Sequence, residues 1–548
     1  MTGQKIFYTP SAVTANMTLT DNTDQRKSRL EAVAQDPNVN VKTTRKFTMD
    51  WRLTDALNFR FGRDYQNDPQ LRENAERDTS GNFLGSNFET DNNIRAGDVV
   101  SNIFNRLDFG ENRRISQTVG ANYTPKMFNW LNPNYTYSSN FTYSLDRPQT
   151  NARGTTQNVS HSVGLDFRMA TLMEEIYNPN KPGARKPAGN ANKGRRSGGE
   201  KDDDKSKDGE KSEDGGSGFA VPNPAKMIWH VFHSFKSFNV NYKEDYSLAQ
   251  SNIDAVPDLG FQFGLTRDPG VQDDSSFNKI ITPANTKYSR QVDGNISLDI
   301  ARNITASLKY GTQKVISESN NQQTVNENNT IFFTGDDPGN AQEDWWKLIP
   351  DWRVSFRGAE KLPLIKIVAK TASIEHNRNG KQTESSRNGQ RDALSYTINY
   401  QPLVGITLNT KWDVQTTIRA NSSVSYDYRT AGAITKREQS GFNVNLSYSV
   451  TRGFRLPLPF LKKPLKNEVS FSLSFDKSDN RSFSRQQTEK DFQELEDSKN
   501  WKLRPAISYR FSAKVNGTAF YEQSSSENKR TGKTTYKEFG INVNIAIR

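Results

Sequence analysis

From Phe539 to the end of the chain every second residue is apolar: Phe539, Ile541, Val543, Ile545 and Ile547 alternate with Gly540, Asn542, Asn544, Ala546 and Arg548. Strict alternation marks an extended strand with one apolar and one polar face. The same period recurs along the chain. Tyr135, Tyr137, Phe141 and Tyr143 share one face of NYTYSSNFTYS, and Val159, Val163, Leu165, Phe167 and Met169 share one face of NVSHSVGLDFRM. Further on, Phe442, Val444, Leu446, Tyr448 and Val450 alternate with Asn and Ser, and Val469, Phe471, Leu473 and Phe475 alternate with serines. Roughly 16 to 20 such strands are predicted, many about ten residues long, the length at which a tilted strand crosses a bilayer. Strands of soluble proteins are nearer five or six.

The connections are of two predicted kinds. Tight ones lie between Ile300 and Ile304 and around Ser512 to Lys514; long charged ones cover DKSDNRSFSRQQTEKDFQELEDSKN and EQSSSENKRTGKTT. Tight turns at one end of the strands and long polar loops at the other is the arrangement of outer-membrane barrels. Two segments break the period. Residues 181–218 contain no aromatic side chain and no Val, Ile, Leu or Met, too little apolar surface to offset the entropy of ordering, and read as a disordered loop. After it, NPAKMIWHVFHSFKSF reads as a short amphipathic helix with Met227, Trp229, Val231 and Phe232 apolar, either a buried connector or an interfacial helix. The chain thus divides into N-terminal barrel strands (1–178), a charged loop rich in Gly, Lys and Asp (179–218), and helix-led C-terminal strands (219–548) ending in the terminal strand.

Composition sharpens this picture. Hydrophobic residues are 33% and mean hydropathy is −0.85, which leaves a conventional core hard to fill. Yet 31 Phe and 19 Tyr are too many for a disordered chain. Many strands, each burying one face and wetting the other, reconcile the two. No run approaches the 18 or so apolar residues of a membrane-spanning helix. The start, MTGQKIFYTPSAV, shows no basic stretch followed by an apolar one, so no signal peptide is visible. Zero cysteines exclude disulfides and thiolate zinc sites. The net charge of +12 is scattered rather than gathered in one patch, which argues against a nucleic-acid partner.

Candidate chemistry is sparse. Of the four histidines, His230 and His233 would share a helix face and could begin a metal site, but no third ligand motif accompanies them. His161 falls in an alternating run, as a packing or interface residue; His376 is the fourth histidine. Asp202, Asp203 and Asp204 lack the spacing of a calcium loop. No nucleophile elbow, phosphate loop or dinucleotide fingerprint occurs. No catalytic, cofactor-binding or metal residue is expected, no cofactor, and no enzyme. Trp51, Trp130, Trp345, Trp346, Trp352, Trp412 and Trp501 lie near predicted strand ends or loop entries, where amphipathic rings form the girdles of membrane barrels.

Four stretches, in this order along the chain, resemble the C-terminal part of the SprA (Sov) family: VPDLGFQFGLTRDPG, PDWRVSFRGAEKLPLIK, LKNEVSFSLSFDKSDNRS, and the ending GTAFYEQSSS…YKEFGINVNIAIR. That family supplies the outer-membrane translocon of the type IX secretion system of Bacteroidetes-like bacteria, linked in some members to gliding motility. The resemblance covers most of residues 40–548. It implies a single-chain barrel of extreme strand number around a protein-wide pore with a lateral opening, through which folded cargo reaches the cell surface with plug and PorV-type shuttle partners. Family members are several times longer and begin with a signal peptide, so the resemblance implies a C-terminal fragment, a truncated gene product or one half of a split protein. Arg548 stands where barrel proteins commonly end in an aromatic residue.

The expected fold is therefore all-β: a large transmembrane antiparallel β-barrel, or an incomplete wall of a larger one, with long extracellular loops, in the bacterial outer membrane. Phe539, Ile541, Val543, Ile545 and Ile547 are expected to face lipid, and Asn542 and Asn544 the lumen. A backbone in lipid tolerates no unpaired edge, so the final strand needs a neighbour on both sides. The expected function is that of a protein-translocation pore component, its partners being membrane lipid, secreted cargo, and the plug and shuttle proteins, with no nucleic acid. A self-contained outer-membrane channel or transporter and a surface β-structural adhesin are the alternatives; an adhesin leaves the membrane with urea or carbonate, whereas a barrel needs detergent. Limited proteolysis of the membrane-embedded protein should cut within 181–218 first and leave two associated fragments; first cuts within strand regions would contradict this organisation.

Overall fold

The computed structural model describes residues 5–24, 38–77, 83–91, 93–145, 153–176, 233–272, 284–334, 347–429, 432–451, 467–512 and 514–545. Most of them are strand. The first third holds β1 (Ala12–Asp24), β2 (Asn38–Arg52), β3 (Leu57–Asp68), β4 (Leu71–Arg77), β5 (Phe83–Thr90), β6 (Glu111–Tyr123), β7 (Leu131–Leu145) and β8 (Arg153–Phe167). The middle holds β9 (Phe235–Ser251), β10 (Asn285–Ala301), β11 (Ile304–Ser319), β12 (Gln322–Thr330), β13 (Asp351–Arg357), β14 (Ala369–Arg387) and β15 (Gln390–Thr410). The last part holds β16 (Gln415–Arg429), β17 (Ile434–Val450), β18 (Val469–Arg485), β19 (Gln493–Arg510), β20 (Val515–Asn528) and β21 (Gly532–Ile545). Helices are short: α1 (Ala96–Arg106), α2 (Met169–Ile176), and the single turns α3 (Leu259–Gln262) and α4 (Pro363–Lys366).

All strands except the β4–β5 hairpin join one antiparallel sheet of 19 strands. β12 and β13 share one place in it, since both pair with β11 on one side and with β14 on the other. The 19 strands therefore fill 18 places in an up-and-down order, the all-β, barrel-like wall expected from the period. β8 pairs with β9 along its length, so the sheet runs on past residues 177–232. The predicted loop at 181–218, Asp202 to Asp204, His230, and the helix with Met227, Trp229, Val231 and Phe232 lie outside the described residues. Among the described residues β1 pairs only with β2 and β21 only with β20. Within the described residues both margins are therefore open edges.

Two expectations about the connections are corrected. The charged stretches 476–500 and 522–535 are mostly strand: β18 runs to Arg485 and β19 resumes at Gln493, while β20 and β21 are joined by only residues 529–531. The backbone ladder continues where both faces have become polar, so the hydrogen-bonded structure outlasts the hydrophobic alternation that reveals it. For the same reason many strands exceed ten residues, and β15 reaches 21. Nor are tight turns confined to one end. At the proximal end, where β1 begins and β21 ends, residues 302–303 join β10 to β11, but 168–234 also connect there. At the distal end, residues 320–321 and 388–389 form two-residue turns. In these, Asn320, Asn321, Asn388 and Gly389 all have positive φ, as type I′ hairpins require. The long distal connections are 69–110 and 252–284, whereas 331–350 leaves the sheet part-way along, between β12 and β13.

The shared place of β12 and β13 is a break in the wall, sealed by one buried cation. Arg378 is wholly buried. Its Nη2 donates to the Ile331 carbonyl at 2.9 Å, its Nη1 lies 3.4 Å from Asp351 Oδ1, and its guanidinium lies 4.7 Å from the Phe332 ring centroid and 5.0 Å from that of Trp352. The Gly380 amide donates to Asp351 Oδ1 at 2.6 Å, and its carbonyl accepts from the Ile331 amide at 3.2 Å. A Cβ at position 380 would lie 1.9 Å from the Ile331 oxygen. Gly380→Ala should therefore destabilise the refolded protein by about 1–3 kcal/mol, seen as a lower urea midpoint in detergent; an unchanged midpoint would mean the seal is not tight.

Candidate functional site: an apolar belt and a polar wall

Among the described residues the polar side chains are spread along the strands rather than gathered in one cluster. The described residues contain no group of three or more His, Asp or Glu side chains placed to hold a metal ion. His161 accepts or donates a hydrogen bond with Tyr135 Oη at 2.9 Å and packs against Tyr137, a packing role. His376 Nδ1 bonds the Leu403 carbonyl at 2.7 Å. In the connection 358–368, the Ala372 amide donates to Glu360 at 2.9 Å, and that bond holds the Glu360 carboxyl below the usual range. The features with functional content are the two faces of the sheet.

The strand registers decide which side chains share a face. Ile541 lies opposite Ala519, Ala519 opposite Ile507, Ile507 opposite Phe471, and Phe471 opposite Tyr448. Two residues along, Leu446 continues to Thr416, Leu408 and Ala372. The band passes from Ile374 through Phe356 to Ile304, then from Leu308 through Ile296, Phe238 and Phe167 to Leu131. Tyr137, Ala121, Phe59 and Trp51 carry it to β2, and Met49 pairs with Val13 on β1. One apolar face thus crosses all 18 places. In β17 it runs from Phe442 to Val450, nine residues, which with strand tilt makes a band about 20–25 Å tall.

The terminal strand keeps the alternation of its sequence. Phe539, Ile541, Val543 and Ile545 are 70%, 65%, 55% and 63% exposed, on the belt face, with nothing packed over them among the described residues; Ile547 lies outside those residues. Asn542 and Asn544 pair with Thr518 and Asn516 on the opposite face. That face is polar along nearly all of its length. Thr518 continues to Ser508, Ser470 and Ser449, with Ser508 Oγ 2.8 Å from Thr518 Oγ1 and Ser449 Oγ 2.8 Å from Ser470 Oγ. It also carries the ion pairs Lys502–Glu522 at 2.8 Å, Arg60–Asp50 at 2.7 Å and Arg353–Glu375 at 2.8 Å. Such pairs are cheap in water and costly in hydrocarbon. Phe520 is the exception on this face: its ring covers Gly540, where a Cβ would come within 2.4 Å, so aromatic and glycine fill one another's space.

The belt has margins. In β17, β18 and β19 its face turns charged just beyond Phe442, Phe475 and Trp501, with the pairs Lys436–Glu438 at 2.6 Å, Lys477–Asp479 at 3.2 Å and Lys499–Asp497 at 3.1 Å. Among the N-terminal and middle strands protein covers the same face instead. Val99 and Ile103 of α1 pack on Val41; Phe261 and Ile253 pack on Ile115, Phe141, Tyr143 and Leu248; Ile331 and Phe333 pack on Tyr396, Ile398 and Tyr426. Sequence reasoning missed these distal cores, because the buried strand residues simply continue the alternation of the belt. Of the tryptophans, Trp51, Trp130 and Trp412 lie at the proximal end, and Trp352 and Trp501 lie within strands nearer the distal margin; Trp345 and Trp346 lie outside the described residues.

No family model matches the chain, and no curated protein matches it. The belt itself supplies the test. Leu446→Arg puts a charge mid-belt, where a lipid surround costs roughly 2–4 kcal/mol; the neighbouring Asn445→Arg puts it on the polar face. Membrane-inserted, protease-protected protein should fall sharply for the first and stay near normal for the second, and equal tolerance would remove the membrane reading of the belt.

Proposed function

We propose that this sheet is a wall of a bacterial outer-membrane pore, belt to the lipid and polar face to an aqueous lumen, and that it forms the C-terminal part of a SprA-like translocon passing proteins to the cell surface. One observation carries the proposal: a continuous apolar face over 18 strand places, backed by an equally continuous polar face. In a water-soluble sheet a face of this extent would need a second layer over it. The proximal end, with both sheet margins' outer ends, is the periplasmic side, and the long distal connections face outward.

Size limits what these strands could pass by themselves. Closed on itself, a barrel of 18 places with strands 4.8 Å apart and tilted near 40° has a backbone diameter of roughly 36 Å, and inward side chains leave about 20–25 Å. A folded 100-residue domain is about 34 Å across. Passage of folded cargo therefore calls for further strands, and the open edges of β1 and β21 are where they would add. Movement through such a pore is diffusion along a wetted wall of Ser, Thr, Asn and paired charges; the wall performs no bond chemistry, and directionality comes from partners of the plug and shuttle type. The even number of places, which brings both margins to the same end, favours a second reading as a self-contained channel.

Because the chain has no cysteine, single cysteines report cleanly. In the full-length parent, Ser472→Cys on the polar face should cross-link to secreted cargo arrested in transit, whereas Leu473→Cys on the belt face should not. Continued secretion with no cargo contact at either residue would overturn the translocon. Expressed alone with an export signal, the chain should stay protease-sensitive; a heat-modifiable monomer of defined conductance would favour the self-contained channel.

A further inference from the structure

The distal connection between β9 and β10 reaches the belt. Its helical turn α3 is capped by Asp258, whose Oδ1 accepts from the Phe261 amide at 2.6 Å. The turn closes tightly: the Phe263 amide donates to the Leu259 carbonyl at 2.9 Å, and the Leu265 amide to the Gly260 carbonyl at 2.8 Å. Buried polar side chains of the wall hold it. Gln117 Nε2 donates to the Gln262 carbonyl at 3.0 Å, Gln157 to the Phe261 carbonyl, and Tyr137 Oη to the Phe263 carbonyl. Phe261 is buried edge-on to Phe141. Phe263 stacks on Phe61, a belt residue, with centroids 5.7 Å apart. Gly264, at φ 74°, approaches so closely that a Cβ would lie 2.5–2.8 Å from Tyr137, Ser139 and Val159.

The segment is thus rigidly docked on the outer face, at the distal margin of the belt. Its two leucines are nevertheless left outside: Leu259 is 61% exposed and Leu265 is 79% exposed. A docked turn that buries Phe261, stacks Phe263 on the wall and presents two leucines beside an apolar belt has the chemistry of an interfacial anchor. Arg267 follows immediately, its guanidinium 5.1 Å from the Tyr246 ring and 5.5 Å from the Tyr288 ring, with Arg290 5.5 Å from Tyr288. Glu244 lies 3.4 Å from Arg267, and the group as a whole, two arginines with tyrosines and one carboxylate, keeps a net positive charge that suits the headgroup layer just above hydrocarbon.

We propose that residues 259–265 are a membrane anchor on the extracellular side, with Leu259 and Leu265 inserted among acyl chains of the outer leaflet and Arg267 and Arg290 at the level of its phosphate-bearing headgroups. This rests on the lipid-facing reading of the belt. The anchor prolongs the belt outward on the β3–β9 sector, where the wall face above it is protein-covered, whereas on the β17–β19 sector the face above the belt is charged. The bilayer is therefore gripped at different heights around the wall.

Nitroxide labels on single cysteines in the full-length parent, reconstituted in vesicles of phosphatidylethanolamine and lipid A, test this by accessibility to oxygen against a water-soluble nickel chelate. Leu265→Cys and Leu259→Cys should favour oxygen, as Leu446→Cys in mid-belt does, and Lys499→Cys should favour nickel. Nickel-favoured accessibility at 265 with oxygen-favoured accessibility at 446 would overturn the anchor alone, as would a label at 265 shielded from both reagents. Nickel-favoured accessibility at 446 would overturn the belt reading beneath it.

Discussion

The structure depends on the register of its backbone ladder. Side chains alternate across a strand, so a slip of one residue between any two neighbours would send that strand's apolar set to the other face. Seventeen successive pairings among 18 places keep Val13, Met49, Phe59, Phe238, Ile296, Phe356, Leu446, Phe471 and Ile541 on one side. The belt exists only because each pairing is in phase. The ladder also pairs backbone donors and acceptors between neighbours along most of each strand, as a wall in hydrocarbon requires. Where it is interrupted, between β12 and β13, Arg378, Asp351 and Gly380 supply the missing partners.

The sequence was legible wherever one face of a strand is apolar and the other polar. β17, β18 and β21 are visible as strands from Phe442–Val450, Val469–Phe475 and Phe539–Ile545, and the phase read there is the phase of the whole belt. The distal halves of the same strands were hidden. Residues 476–500 are rich in Asp, Lys, Ser and Asn on both faces because both faces are wet, and nothing in their side chains distinguishes a paired strand from a loop. The type I′ turns at Asn320–Asn321 and Asn388–Gly389 are short enough to be overlooked among so many Asn and Gly residues.

The functional surfaces were half legible for the same reason. Alternation identifies two faces but does not say which parts of the apolar face are covered by protein and which are left open. Phe141 and Tyr143 continue the phase of Tyr135 and Tyr137, yet they are buried under Phe261 while Tyr135 and Tyr137 belong to the belt. That distinction is made by a connection more than one hundred residues away, through Gln117, Tyr137 and Gln157, and is a tertiary fact. The charged pairs bounding the belt at Lys436, Lys477 and Lys499 are visible as residues, but their alignment into one margin needs the registers.

The central claim is that one face of this sheet meets lipid and the other water. A cysteine scan along residues 469–475 of β18 in intact membranes, read by labelling with a membrane-impermeant, water-soluble maleimide, tests it most directly. Ser470, Ser472 and Ser474 should label and Val469, Phe471, Leu473 and Phe475 should be protected, a period of two in phase with the registers. Uniform labelling, or protection at the serine positions, would contradict the account.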